Sequence, residues 1–212
     1  MTNSSSQSSN DSNSEYFYTT QTNNGREVLI RPARPGDETG IQQLMAWFVE
    51  QTNCSWRYKP LTLEAMTRWL DEHMARPGKQ VWVAVCDQEI VGYSSLSDFR
   101  APEGYWVCAE NSIYVLPSYA GQKIGQVLMQ RILDAAAAVG LHRVVAAIDG
   151  DNQASIKFHE RFGFRTCGVM PEVGWKNNQW LDLVLMMYNV PAMDPSSQPV
   201  GQTQPACAGS GY

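Results

Sequence analysis

ENSIYVLPSYAGQKIG, running from Glu110 to Gly125, reads as a strand, a glycine-bearing turn and the start of a helix. That layout places backbone N–H groups at a helix N-terminus, where the dipole and unpaired donors favour a phosphate. The carboxylate of Glu110 sits just upstream on the strand. A phosphate cradle beside a potential general base points to a cofactor-dependent transfer enzyme rather than a structural module.

Outward from this stretch, Glu27–Ala33 reads as a first strand, ended by Pro32 and Pro35. Pro35–Gln51 reads as a helix, with Ile41, Leu44, Met45, Phe48 and Val49 on one stripe. Thr62 is the N-cap of a second helix that ends before Pro77-Gly78. Gln80–Cys86 is apolar on both faces, as a central strand is. Asp87-Gln88 is a short turn, and Ile90–Leu96 completes an antiparallel hairpin. Trp106–Leu116 is a strand, and Gly121–Val139 a helix stopped by Gly140. Arg143–Ile148 is a strand, and Asn152–Phe162 a helix broken by Gly163. Phe164–Val169 and Leu181–Tyr188 are the last strands, with a loop around Trp175 between them. The order gives an α/β class with a mixed sheet and no internal repeat.

Bulk properties bound the reading. Of 212 residues, 1–24 are rich in Ser, Asn, Gln and Thr and 192–212 in Pro, Ser, Gln, Gly and Ala. Neither tail has the apolar content to order itself, so one domain at 25–191 is expected. The net charge of −5, with no basic block, argues against a nucleic-acid partner. No apolar run is long enough to span a membrane, and the N-terminus lacks the layout of a signal peptide. Cys54, Cys86, Cys108, Cys167 and Cys207 are odd in number and scattered, and His73, His142 and His159 add no ligand spacing. No disulfide framework and no metal site are expected, and a cytoplasmic location is the simplest reading.

The element order and residues Val115–Gly125 together resemble the GNAT superfamily of acetyl-CoA-dependent N-acetyltransferases. Asn152–Phe164, reading NQASIKFHERFGF, resembles that family's second signature, an Asn opening a helix and a Gly-aromatic closing it. The segments Ser97–Ala101, Glu110–Val115 and Gly174–Asp182 resemble the phosphinothricin and methionine-sulfoximine acetyltransferases within it. The resemblance covers the domain and neither tail. It implies a mixed, mostly antiparallel sheet of about seven strands flanked by four helices, and acetyl-CoA as co-substrate. One departure stands out. The family's phosphate loop runs Gln or Arg, two residues, Gly, one residue, Gly or Ala; here Ala120, Lys123 and Gly125 hold those positions.

Acetyl transfer to an amine requires a base for the ammonium, donors for the oxyanion and an acid for the leaving thiolate. The resemblance assigns the base to Glu110 and makes His159 the candidate acid. It gives the acetyl-CoA contacts to Ile113, Tyr114, Val115, to Gly121, Gln122, Lys123, Ile124, Gly125 and Gln126, and to Asn152. Arg100, with Ala101, Asn111 and Glu110, falls at the implied substrate mouth, and its guanidinium fork suits a carboxylate. Trp56 is one of several aromatic residues suited to walling a pocket for a small zwitterion. Cys108 has no identifiable base beside it and is not expected to be a nucleophile. The expected activity is acetylation of the α-amine of a small amino acid or analogue, in a homodimer. Two alternatives stay open: an acetyltransferase for protein N-termini or other amines, and a non-catalytic acyl-CoA-binding domain.

Overall fold

The computed structural model describes residues 17–191. In chain order these form β1 (Tyr18–Gln21), β2 (Glu27–Pro32), α1 (Glu38–Gln51), α2 (Leu63–Met74), β3 (Trp82–Cys86), β4 (Glu89–Asp98), β5 (Cys108–Val115), α3 (Ile124–Ala138), β6 (Arg143–Asp149), α4 (Gln153–Arg161), β7 (Arg165–Lys176) and β8 (Gln179–Asn189). The strands make one sheet in the order β1-β2-β3-β4-β5-β6-β8-β7. Every neighbouring pair is antiparallel except β5 and β6, which α3 links as a crossover.

The sheet is covered on both faces, which explains why Gln80–Cys86 is apolar throughout. On one face, Ile124, Leu128, Met129 and Ile132 of α3 pack with Val28, Ile30, Ala84, Leu96 and Ala109. On the other, Ile41, Leu44 and Phe48 of α1 and Met66 and Leu70 of α2 pack with Val81, Val83 and Tyr93. Strand alternation divides β5 between them: Ala109, Ile113 and Val115 face α3, and Tyr114 faces α1. The start of α1 is pinned by a buried bidentate pair, Arg31 to Asp37 at 2.6 and 2.9 Å. The Thr62 hydroxyl caps α2, accepting from Ala65 N at 3.2 Å.

The mixed, mostly antiparallel sheet with four helices is as expected, and its eighth strand is Tyr18–Gln21, read as tail, which pairs with β2. Tyr18 holds it there, packing against Trp82 and lying under the Arg131 guanidinium, a single aromatic anchor that composition does not reveal. Residues 1–16 and 192–212, the rest of the two expected tails apart from the described stretch 17–24, lie outside the described residues. The third helix starts at Ile124 rather than Gly121, since Gly121 and Lys123 have φ of +74° and +63°. Trp175 lies within β7, not in a loop. The hairpin turns at Asn177-Asn178, both with positive φ, as a tight two-residue turn requires. Two bulges interrupt β7, and these masked its period from sequence.

Candidate active site

β5 and β6 pair only over Cys108–Glu110 and Arg143–Val145. Beyond that point β5 runs on to Val115 beside β4 alone, and β6 runs on to Asp149 beside β8 alone. The sheet therefore forks at Glu110, and a cleft of about 890 Å³ fills the fork. Every residue expected at the site lines this cleft except Arg100 and Ala101, which lie on the exposed stretch after β4.

At the far end of the fork lies the N-terminus of α3. Among the described residues, the backbone N–H groups of Gly121 through Gln126 have no acceptor; the first to find one is Val127, on Lys123 O at 3.2 Å. Positive φ at Gly121 and Lys123 curls this segment into an anion-binding nest in front of the helix dipole. The Gln122 side chain is occupied with Ser118 O and Asn23 N, so only its backbone faces the nest. Lys123, Lys157 and Arg161 line the same cleft, and none forms an ion pair among the described residues. The donor set suits a pyrophosphate.

Glu110 is half-buried at the crotch of the fork. Burial pushes its carboxyl above the ordinary range, and the nearby charge of Arg100 pulls it back in part. Tyr114, two strand positions beyond Ser112 on the same face, is half-buried, with its phenol pushed up to about 12 by desolvation, and stays neutral. Trp56 walls this side. Its ring packs against Gly174 of β7, where a side chain's Cβ would meet it at 2.7 Å. On the opposite wall, the Asn152 carbonyl caps α4 by accepting from Ser155 N at 3.1 Å, while its amide nitrogen donates to Cys54 Sγ at 3.3 Å. His159 is buried on α4, in contact with Asn111. Cys108 is half-buried, and desolvation pushes its thiol up, which keeps it protonated and a poor nucleophile.

Residues 41–164 match the acetyltransferase (GNAT) family. The chain belongs to the GNAT acetyltransferase family. A methionine sulfoximine/methionine sulfone acetyltransferase of Pseudomonas aeruginosa is 39% identical over 168 residues, covering 79% of this chain and 95% of the relative. A phosphinothricin N-acetyltransferase of Streptomyces coelicolor is 36% identical over 159 residues, covering 74% and 93%. Among solved structures, a phosphinothricin acetyltransferase from Sinorhizobium meliloti in complex with acetyl-CoA superposes with a TM-score of 0.76 at 25% identity, covering 84% of this chain and 96% of that one. A Salmonella typhimurium acetyltransferase solved with acetyl-CoA gives 0.73 at 31% identity, covering 77% and 94%.

The protein is thus an acetyl-CoA-dependent acetyltransferase, and the nest and its three cations have the donors and the charge that a pyrophosphate arm requires. Lys123 carries the departure from the family's loop. The structure explains the usual glycine: the residue is left-handed, which costs a side-chain-bearing residue roughly 1–2 kcal/mol. A Lys123→Gly variant is therefore expected to be more stable by about 1 kcal/mol in denaturant unfolding. It should bind CoA more weakly at low salt and equally at high salt, because the lost cation is exposed and screened. Calorimetry at two ionic strengths checks this; equal affinity at both removes the charge role.

Sequence reasoning missed several of the groups that build this GNAT site. Lys157 and Arg161, one helical turn apart on α4, had a readable signal in their spacing. Cys54 and Asp149 had none. Asp149 closes β6 with Oδ1 accepting from Asp151 N at 2.9 Å and Oδ2 without a partner. Lys176 was quoted only as part of a resemblance, yet its buried ammonium donates to three carbonyls, Val49 O, Thr52 O and Ser55 O, at 2.6–2.7 Å. Among the described residues no group of three or more His, Cys, Asp or Glu is arranged to hold a metal, and no helix is long and apolar enough to cross a membrane.

Proposed function

We propose that this acetyltransferase modifies the α-amine of a small amino acid or analogue, of the phosphinothricin or methionine-sulfoximine type, by direct attack with Glu110 as general base. The observation that carries the reading is the position of Glu110: a half-buried carboxylate at the fork, with a raised pKa, beside a positively charged mouth. A base of raised pKa takes the ammonium proton more effectively than an ordinary surface carboxylate. The amine then attacks the thioester carbonyl held in the same cleft, so no covalent enzyme intermediate is needed. Arg100, exposed and unpaired among the described residues, is the cation available for the substrate carboxylate, and Trp56 forms the wall that sizes the side chain. The substrates of the two curated relatives, amino-acid analogues, fit this arrangement.

The test is acetyl-CoA turnover over a panel of amino acids, methionine sulfoximine, phosphinothricin, polyamines and N-terminal peptides. Turnover of free amino acids or their analogues above the Glu110→Ala background is expected. Turnover confined to polyamines or peptides overturns the acceptor class. We also infer a homodimer. Val173, Trp175 and Trp180 expose 47%, 44% and 61% of their surface on the edge hairpin, more apolar area than a monomer usually leaves together. A monomer by analytical ultracentrifugation would remove that part.

A further inference from the structure

Asn111 and His159 form a buried pair whose hydrogen bonds can be assigned atom by atom. His159 is 2% exposed, and its Nδ1 lies 2.8 Å from the carbonyl oxygen of Ser155. A carbonyl only accepts, so Nδ1 carries a proton. In the neutral ring Nε2 is then a bare acceptor. It lies 3.1 Å from Asn111 Nδ2, which donates to it. Desolvation pushes the imidazole pKa down, although the Ser155 bond pulls it up, and the ring stays neutral. Phe158 and Phe164 stand edge-on to it at 5.5 and 5.0 Å and exclude water.

These bonds fix the Asn111 amide. Its nitrogen is held on the ring, so its oxygen is turned away from it. That oxygen is buried without a partner among the described residues, and Asn111 is 7% exposed and lines the cleft. A buried carbonyl oxygen left without a donor is costly, and an arrangement that enforces one calls for a ligand to complete it. The donor must come from the acyl-CoA side. Asn111 lies on the α3 face of β5 with Ile113 and Val115, along the line from the nest at Gly121–Gln126 to the fork, whereas Glu110 faces the α1 side.

We propose that His159 is a positioning residue: its neutral, Nδ1-protonated imidazole holds the Asn111 amide so that Oδ1 accepts a hydrogen bond from an amide N–H of the pantetheine arm of acetyl-CoA. The last amide of that arm is two methylenes from the thioester sulfur. Its capture by the residue next to Glu110 sets the thioester beside the base. The same bonds leave the ring no free proton for a departing thiolate, which displaces the acid role read from the sequence. The inference rests on acetyl-CoA as donor and is independent of which amine is the acceptor.

Imidazole nitrogen spectra of the ligand-free, ¹⁵N-labelled protein at neutral pH should show His159 protonated on Nδ1 and bare on Nε2. Calorimetry with CoA reads the second half. His159→Leu is expected to weaken CoA binding roughly 10-fold, Asn111→Leu by a similar factor, and the double variant no further. His159→Gln, whose amide oxygen replaces Nε2 as the acceptor, should restore affinity to within about 2-fold. The opposite tautomer, or a charged ring, overturns the proposal. So does CoA affinity untouched in His159→Leu with kcat lowered equally in His159→Leu and His159→Gln, the pattern of a proton donor. Should His159→Leu not fold, the tautomer, Asn111→Leu and His159→Gln still decide.

Discussion

A Glu110→Gln variant is expected to lose about 10²- to 10⁴-fold in kcat while binding CoA normally, because only the proton transfer is removed. The pH profile carries the finer test. Burial raises the Glu110 pKa and Arg100 lowers it again in part. The base must be ionised, so wild-type kcat/KM should rise with pH along a limb set above the ordinary carboxylate range. Arg100→Ala removes the opposing charge and should move that limb to higher pH, besides raising KM for a carboxylate-bearing acceptor. Stability should move the other way. A carboxyl whose folded pKa lies above its unfolded value stabilises the fold fully below the unfolded value, and loses that contribution as pH rises through the folded value. At neutral pH the ionised Glu110 is therefore a burden on the fold, and Glu110→Gln should melt at the same temperature or higher. A loss in kcat under about 10-fold, with an unchanged acid limb, would assign the base to another group.

How much of this was readable without coordinates follows from the range of the interactions. The turn before α3 was legible because it is local: strand, turn and helix start are written in consecutive residues, and Gly121, with φ of +74°, marks where the backbone reverses. Glu110 was legible only as a carboxylate on a strand. Its importance comes from the fork, and the fork arises because β6 leaves β5 after Val145 to follow β8 to Asp149. No local pattern encodes that divergence. His159 was readable as a residue of the cleft, but the bonds that set its tautomer were not, since they run to Ser155 and to Asn111, 48 residues away. β1 was lost to composition: one tyrosine against Trp82 and Arg131 outweighs the polar residues around it. The β7–β8 hairpin was mis-bounded because bulges break the period of two on which strand recognition relies.

Lys176 shows most clearly a function hidden in long-range geometry, and Lys176→Met is expected to be the most destabilising single change near the site. The residue is 4% exposed, and its ammonium caps the end of α1, which closes at Gln51, through Val49 O and Thr52 O, then reaches Ser55 O on the next loop. A cation at a helix C-terminus is favoured by the dipole and by carbonyls that have no helical partner. Methionine fills the space but donates nothing, so buried carbonyls lose their donor. A cost on the order of 3 kcal/mol is expected, at about 1–3 kcal/mol for each acceptor left unsatisfied. For a chain of this size that lowers Tm by roughly 6–12 °C. Arginine should not rescue, because a planar fork cannot serve three converging carbonyls as a compact ammonium does. The consequence for catalysis follows from what else joins the hairpin to this loop. Tyr58 OH donates to Trp175 O at 2.7 Å, Asn177 Nδ2 to Asn53 Oδ1 at 2.8 Å, and Trp56 rests on Gly174. Lys176 is the central tie of that set, so its loss should free Trp56 and raise KM for the acceptor several-fold. The α3 nest, which touches none of these groups, should keep its affinity for CoA. A Lys176→Met protein with wild-type Tm and acceptor KM would show that the three carbonyls find other donors and that the remaining ties hold the loop without the ammonium.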